Sequence, residues 1–168
     1  MIIHEFINNK KPVMVLIHGV LTPWQIWKPQ IEFFKNSYTV YVVSLNAHNE
    51  EKASEFISVK AEAEQIVMLL IEKGVQTIDA LCGISLGGKI EISNLIMDGA
   101  PLVKCPKFAV NIMINNYKNI IHKSKKRDAK IIENFKKYFL PEKYLESYLK
   151  IADLMTDNSI ENMVSSVF

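Results

Sequence analysis

A serine with a glycine two residues to either side, Gly83-Ile84-Ser85-Leu86-Gly87, follows an apolar, strand-like run from Thr77 to Leu81. This spacing suits a nucleophile held on a sharp turn between a strand and a helix, with its hydroxyl pushed up into a site. The strained backbone at the serine leaves no room for side chains at the flanking positions, and Gly83 and Gly87 permit the turn. A hydroxyl attacks a carbonyl once a neighbouring base takes its proton, and the oxyanion that develops needs N–H donors. The N–H of Leu86, the residue after the nucleophile, is one such donor. The second is read at Val20, in His18-Gly19-Val20, directly after the apolar run Val13 to Ile17.

The proton relay is written less clearly. His122 is the one histidine that follows Ser85, and it stands in His122-Lys123-Ser124-Lys125-Lys126-Arg127, the composition of a solvated helix end. It is the candidate base. Asp98 is the candidate acid to orient a histidine, although an Asp that opens a Gly-Ala-Pro turn is equally ordinary. His18 reads as a structural residue holding its loop, and His48 as a loop residue near the site rather than a base. The chain contains no H-E-x-x-H, no paired C-x-x-C, no clustered carboxylates and no G-x-x-x-x-G-K. No metal and no cofactor are therefore expected. Met97, Met113, Met155 and Met163 suit either an adaptable acyl pocket or simple core filling.

These residues need elements to hold them. Ile2 to Ile7 reads as a short edge strand, Val13 to Ile17 as a strand buried on both faces, and Tyr38 to Leu45 as the next strand. Pro29 fits the first turn of a helix that buries Ile31, Phe33 and Phe34, with Trp24 and Trp27 at its entry. A long helix is expected from about Glu51 to Lys73, with Phe56, Val59, Ala63, Ile66, Val67 and Leu70 as its stripe and Gly74 at its end. Residues 94–101 read as another strand, only about eight residues past the serine; one helix from Leu86 to Met97 is the alternative. From Lys107 onward the pattern is four short amphipathic helices: Phe108 to Lys123, Asp128 to Leu140, one opened by Pro141, and one capped by Thr156 or Asp157. Alternating strands and helices call for a mostly parallel sheet flanked by helices, an α/β fold with its site at the carboxyl ends of the strands. His18, His48 and Ser85 all fall there.

Composition excludes several other functions. A net charge of +2 and a single arginine, Arg127, argue against a nucleic-acid partner. Two cysteines make no disulfide framework, and no signal peptide or bilayer-length apolar run is visible, so the chain reads as cytoplasmic.

Together, Val13 to about Pro101 resembles the α/β-hydrolase superfamily, in particular small esterase- or lipase-like members with a helical cap. The resemblance rests on the strand ending in His18-Gly19, the strand ending in the 46–49 loop, and Gly83-Ile84-Ser85-Leu86-Gly87-Gly88. It implies residues 1–104 as the core and 105–168 as the cap. Ser85 is then the nucleophile, Val20 and Leu86 the oxyanion donors, and a small-molecule ester or acyl compound the substrate. The family normally continues past its cap with strands that carry the acid and histidine, so an incomplete core is expected. Such a chain would be impaired as a catalyst and prone to self-association. A hydrolase-like binding domain and an acyltransferase on the same scaffold are the alternatives.

Overall fold

The computed structural model describes residues 1–9, 11–89, 95–98 and 105–167, with the backbone alone at 95–98. Five strands form one sheet in the order β1-β3-β2-β4-β5. They are β1 (Ile2–Phe6), β2 (Val13–Ile17), β3 (Thr39–Ser44), β4 (Ala80–Ile84) and β5 (Leu95–Asp98). All neighbours run parallel except β1, which pairs antiparallel with β3 from Ile2↔Ser44 to Phe6↔Val40. The two-sided burial expected for the Val13 run is observed. Val15, Ile17, Tyr41, Val43 and Leu81 enter one apolar cluster, while Met14, Leu16, Val40 and Val42 enter another. Alternation along each strand divides the residues between the two faces.

One face is covered by a 3-10 turn, Trp24–Trp27, and by α1 (Lys28–Phe34), which has Pro29 in its first turn. Trp27 and Ile31 join the cluster of that face and Phe34 packs against it, whereas Phe33 is 77% exposed. Seven helical residues offer the sheet a single stripe, and Ile31 and Phe34, three apart, occupy it.

The other face takes α2 (Val59–Glu72) and the C-terminal helices. The expected helix from Glu51 is shorter than its pattern suggested. Ser58 caps α2 by accepting from the N–H of Ala61, and Phe56 lies before the cap, fully buried, with its own N–H bonded to Ser159 Oγ at 3.0 Å. A tertiary tie therefore holds this segment out of the helix. Val67, at the margin of the stripe, is 45% exposed.

The strand before Ser85 also begins later than the Thr77 run implied, at Ala80, so Gly83 and Ile84 belong to it. A 3-10 turn, Ser85–Lys89, follows, and β5 then pairs with β4 from Leu81↔Leu95 to Ile84↔Asp98. Residues 95–98 are thus strand, and the crossover between β4 and β5 occupies only residues 85–94. The remainder of the two readings there, and the turn at Gly99-Ala100-Pro101, lie outside the described residues.

Four helices complete the chain: α3 (Lys107–Lys125), α4 (Ala129–Tyr138), α5 (Leu145–Leu154) and α6 (Asp157–Val167). Asp128 caps α4 through the N–H of Ile131, and Thr156 accepts from the N–H of Ser159 in the first turn of α6. After Pro141 the chain first makes a short 3-10 turn, Glu142–Tyr144. Tyr148 Oη and Ser124 Oγ share a buried hydrogen bond of 2.6 Å, and the ring of Phe135 stacks on Tyr148. That contact fastens α3, α4 and α5 together. Ile121, Tyr148, Ile151, Ile160 and Met163 share one cluster with the sheet residues Val15, Ile17 and Leu81. The sheet and these helices thus share one apolar cluster. Among the described residues, no helix is long and apolar enough to cross a membrane.

Candidate functional site

Ser85 stands directly after β4 with φ at +51°, in the left-handed region that a side-chain-bearing residue rarely enters. The glycines explain how the chain tolerates it. A Cβ on Gly83 would stand 2.4 Å from the carbonyl carbon and oxygen of Gly87, and one on Gly87 would stand 2.4 Å from the Ile17 carbonyl oxygen. Both approaches are to backbone, so neither position admits a side chain. A Cβ on Gly19 would lie 3.3 Å from both Ser85 Cβ and the Ile84 oxygen, which places the loop after β2 directly against the serine.

In that loop the N–H groups are distributed unevenly. Leu21, also at positive φ (+59°), donates its N–H to His48 Nε2 at 3.1 Å. Thr22 donates to the Gly19 carbonyl, through its N–H at 3.4 Å and its hydroxyl at 2.8 Å. Among the described residues nothing accepts the N–H of Val20. An unengaged donor beside the serine is what an oxyanion site requires. Leu86 is buried at the start of the turn after Ser85.

Two buried histidines fasten the loops. His18 directly follows β2; its Nδ1 meets the Gly19 carbonyl at 2.8 Å, and its Nε2 accepts the N–H of Leu45 at 3.1 Å. His48 lies after β3; its Nδ1 meets the Asn46 carbonyl at 3.1 Å, and its Nε2 holds Leu21. Each histidine thus reaches across to the other's strand end, and the rings are 4.6 Å apart. A carbonyl only accepts, so Nδ1 carries the proton in both rings and both are neutral. Burial keeps them so. It lowers His18 to about 4, and burial together with the neighbouring His18 lowers His48 well below its ordinary value.

His122 lies on the exposed side of α3, where Nε2 is 2.8 Å from Asp157 Oδ1. The fourth histidine, His4, contacts Ser44 Oγ at 3.1 Å and stacks on Trp24. All four are therefore engaged away from Ser85, and the Ser85 hydroxyl has no hydrogen bond among the described residues. Asp98 ends β5 in register with Ile84, one residue before the serine; its side chain lies outside the described residues, as does that of Met97. Met155 and Met163 are fully buried in the core and Met113 packs against it. Among the described residues, no group of His, Cys, Asp and Glu is arranged to hold a metal ion.

An apolar cleft of about 190 Å³ opens beside the loop. Val20, Leu21 and Thr22 form one wall, and Tyr117, Ile120 and Phe135 of α3 and α4 face them.

Sequence reasoning missed Glu62. It is 1% exposed, and its carboxylate accepts from Asn46 twice, from the backbone N–H at 3.0 Å and from Nδ2 at 2.9 Å. The signal was present: Glu62 lies three residues after Val59 and four before Ile66, on the buried stripe of α2. A carboxylate there must be satisfied by a specific partner.

The fold matches that of known proteins. No family model matches the chain. A curated relative, 2-succinyl-6-hydroxy-2,4-cyclohexadiene-1-carboxylate synthase of Pectobacterium atrosepticum, is 29% identical over 87 residues, 52% of this chain. The match spans only about a third (34%) of that protein. Among solved structures, an α/β-hydrolase-family protein from Desulfitobacterium hafniense aligns over 98% of this chain and 71% of its own, at a TM-score of 0.69 and 19% identity. MenH from S. aureus aligns over 98% and 69%, at 0.66 and 17%. The esterase EaEST from Exiguobacterium antarcticum aligns over 98% and 68%, at 0.68 and 17%. The chain has the α/β-hydrolase fold, a mostly parallel sheet flanked by helices with a helical C-terminal region. It holds only part of the core that those neighbours possess.

Proposed function

We propose that this chain carries the nucleophile and oxyanion half of a serine hydrolase that cleaves a carboxylic ester or thioester through an acyl-enzyme on Ser85. One observation carries the reading: Ser85 is strained at φ +51° against a loop whose Val20 N–H is unengaged among the described residues. Ser85 Oγ adds to the substrate carbonyl while a base removes its proton. The N–H groups of Val20 and Leu86 hold the oxyanion, and its collapse expels the alcohol or thiol. Water then repeats the sequence to release the acid. The cleft lined by Val20, Ile120 and Phe135 takes the acyl chain, and residues 105–168 serve as the lid over it.

Asp98, at the strand end beside Ile84, is the acid that orients the base in this scheme. His122 would have to leave Asp157 to serve as that base. The part of the fold that the hydrolase neighbours have beyond this chain is the more natural source of a histidine. The engagement of all four histidines elsewhere also favours a second reading, a hydrolase-like domain that binds an apolar small molecule without turnover. Transfer of the acyl group to an alcohol or amine would use the same residues.

Labelling by a fluorophosphonate probe separates these readings, because an activated serine reacts quickly. Labelling of the wild type with none of Ser85→Ala supports the nucleophile. Equal behaviour of the two proteins removes Ser85 from the mechanism and leaves the binding reading.

A further inference from the structure

Glu62, Asn46, His48 and Leu21 form a single line of hydrogen bonds, from the first turn of the sheet-covering helix α2 to the residue beside the oxyanion donor. We propose that Glu62 and His48 are positioning residues for the oxyanion loop, acting through this line; the proposal rests on the reading of Val20 as an oxyanion donor. Each link has one direction. The Glu62 carboxylate accepts from the Asn46 N–H and Nδ2, fixing the start of the loop after β3. Gln65 Oε1 accepts from the same Nδ2 at 2.7 Å, and the Met1 ammonium donates to Asn46 Oδ1, so every polar atom of that side chain is engaged. The Asn46 carbonyl accepts from His48 Nδ1, which leaves Nε2 as an acceptor for the Leu21 N–H. Ala47, between them, holds positive φ (+62°), and its N–H is tied to Ser54 Oγ at 3.0 Å.

The consequence lies in which N–H is left over. A loop with three successive backbone donors, at Val20, Leu21 and Thr22, would present an oxyanion with competing partners. His48 occupies the Leu21 donor and the Gly19 carbonyl occupies that of Thr22, so among the described residues Val20 alone remains open. Leu21 is also held at positive φ, a conformation that relaxes unless its surroundings hold it. His48 and Glu62 are each 1% exposed, so water does not substitute for either link. Removing the Glu62 charge breaks the line at its root. A glutamine there keeps one acceptor but sets an NH₂ against Asn46 Nδ2, two donors facing each other.

The test begins with wild-type protein and needs no catalysis. Long-range ¹H–¹⁵N correlation spectra are expected to show His48 as the neutral Nδ1–H tautomer near pH 7. Hydrogen exchange at the Leu21 amide is expected to be slow. It should accelerate at least tenfold in His48→Phe and in Glu62→Gln, and stay slow in His48→Gln, whose amide oxygen reaches the same N–H. An Nε2–H tautomer at His48, or Leu21 exchange unmoved by His48→Phe, overturns the proposal. The rate of fluorophosphonate labelling at saturating probe is then expected to fall at least tenfold in His48→Phe and recover in His48→Gln; unchanged labelling despite fast Leu21 exchange also overturns it. If wild type labels no faster than Ser85→Ala, the nucleophile reading fails on its own account, while tautomer and exchange still decide whether the line of bonds exists.

Discussion

Acidification tests the neutral histidine brace most directly. His18 is fully buried, accepts the Leu45 N–H at Nε2, and has its proton affinity lowered from the ordinary 6.5 to about 4. Desolvation is the main cause, with the nearby His4 charge adding to it and the Gly19 carbonyl opposing it. The unfolded chain takes up a proton near pH 6.5, and the folded chain resists until about pH 4. Stability from this group is therefore complete above pH 6.5 and is lost as pH falls through the window down to about 4. At about 1.4 kcal/mol for each tenfold difference in proton affinity, the loss approaches ~3 kcal/mol. That is a large share of the 5–15 kcal/mol typical of folded domains. His48 contributes in the same direction, whereas buried Glu62, whose affinity is raised, contributes in the opposite one. The net slope thus mixes several groups, and the His18 part is isolated by difference. Urea unfolding followed by the fluorescence of Trp24 and Trp27, at half-unit steps from pH 7 to 4.5, supplies the curves. His18→Gln keeps an acceptor for Leu45 but does not titrate. Its stability should fall less steeply than that of wild type, the two curves converging by roughly 2 kcal/mol or more at pH 4.5. Parallel curves would refute the argument that His18 is held neutral by burial.

Other expectations follow from single contacts. Gly87→Ala drives a Cβ to 2.4 Å from the Ile17 carbonyl oxygen, so the contact between β2 and the turn after β4 must shift; a loss of about 3 kcal/mol or failure to fold is expected by urea unfolding. Ser58→Ala removes the cap that starts α2 after the extended Phe56 segment, and should cost about 1 kcal/mol with little change in the native circular dichroism. Tyr148→Phe leaves Ser124 Oγ buried without its partner, and should lower stability by about 1–2 kcal/mol while the Phe135 stacking persists. Ile120→Trp fills the cleft beside Val20, and should shorten the longest p-nitrophenyl ester that competes with probe labelling of Ser85, leaving acetate competition nearly unchanged.

Much of the strained turn at Ser85 was legible in the chain itself. Gly83, Ser85 and Gly87 state a backbone requirement, and backbone requirements are local: the glycines stand where a Cβ would strike main chain four or five residues away or on the neighbouring strand. A compact apolar run likewise announced β2, and a run rich in β-branched and aromatic residues announced β3. Helix α2 shows where local pattern stops. Phe56 continues the periodic stripe, yet the bond from its N–H to Ser159, more than a hundred residues distant, removes it from the helix. His48 and Glu62 carry the same lesson into the site. A histidine in a polar loop and a carboxylate on a helix look ordinary in sequence. Their meaning depends on β2 and β3 lying side by side, which brings residues 18 and 45, and residues 21 and 48, within hydrogen-bond reach. The sequence by itself determined where a strained serine must stand, because steric demands act between near neighbours. Only the tertiary structure decided which backbone N–H remains open beside it, because that depends on partners delivered by other strands and by the helix packed across them.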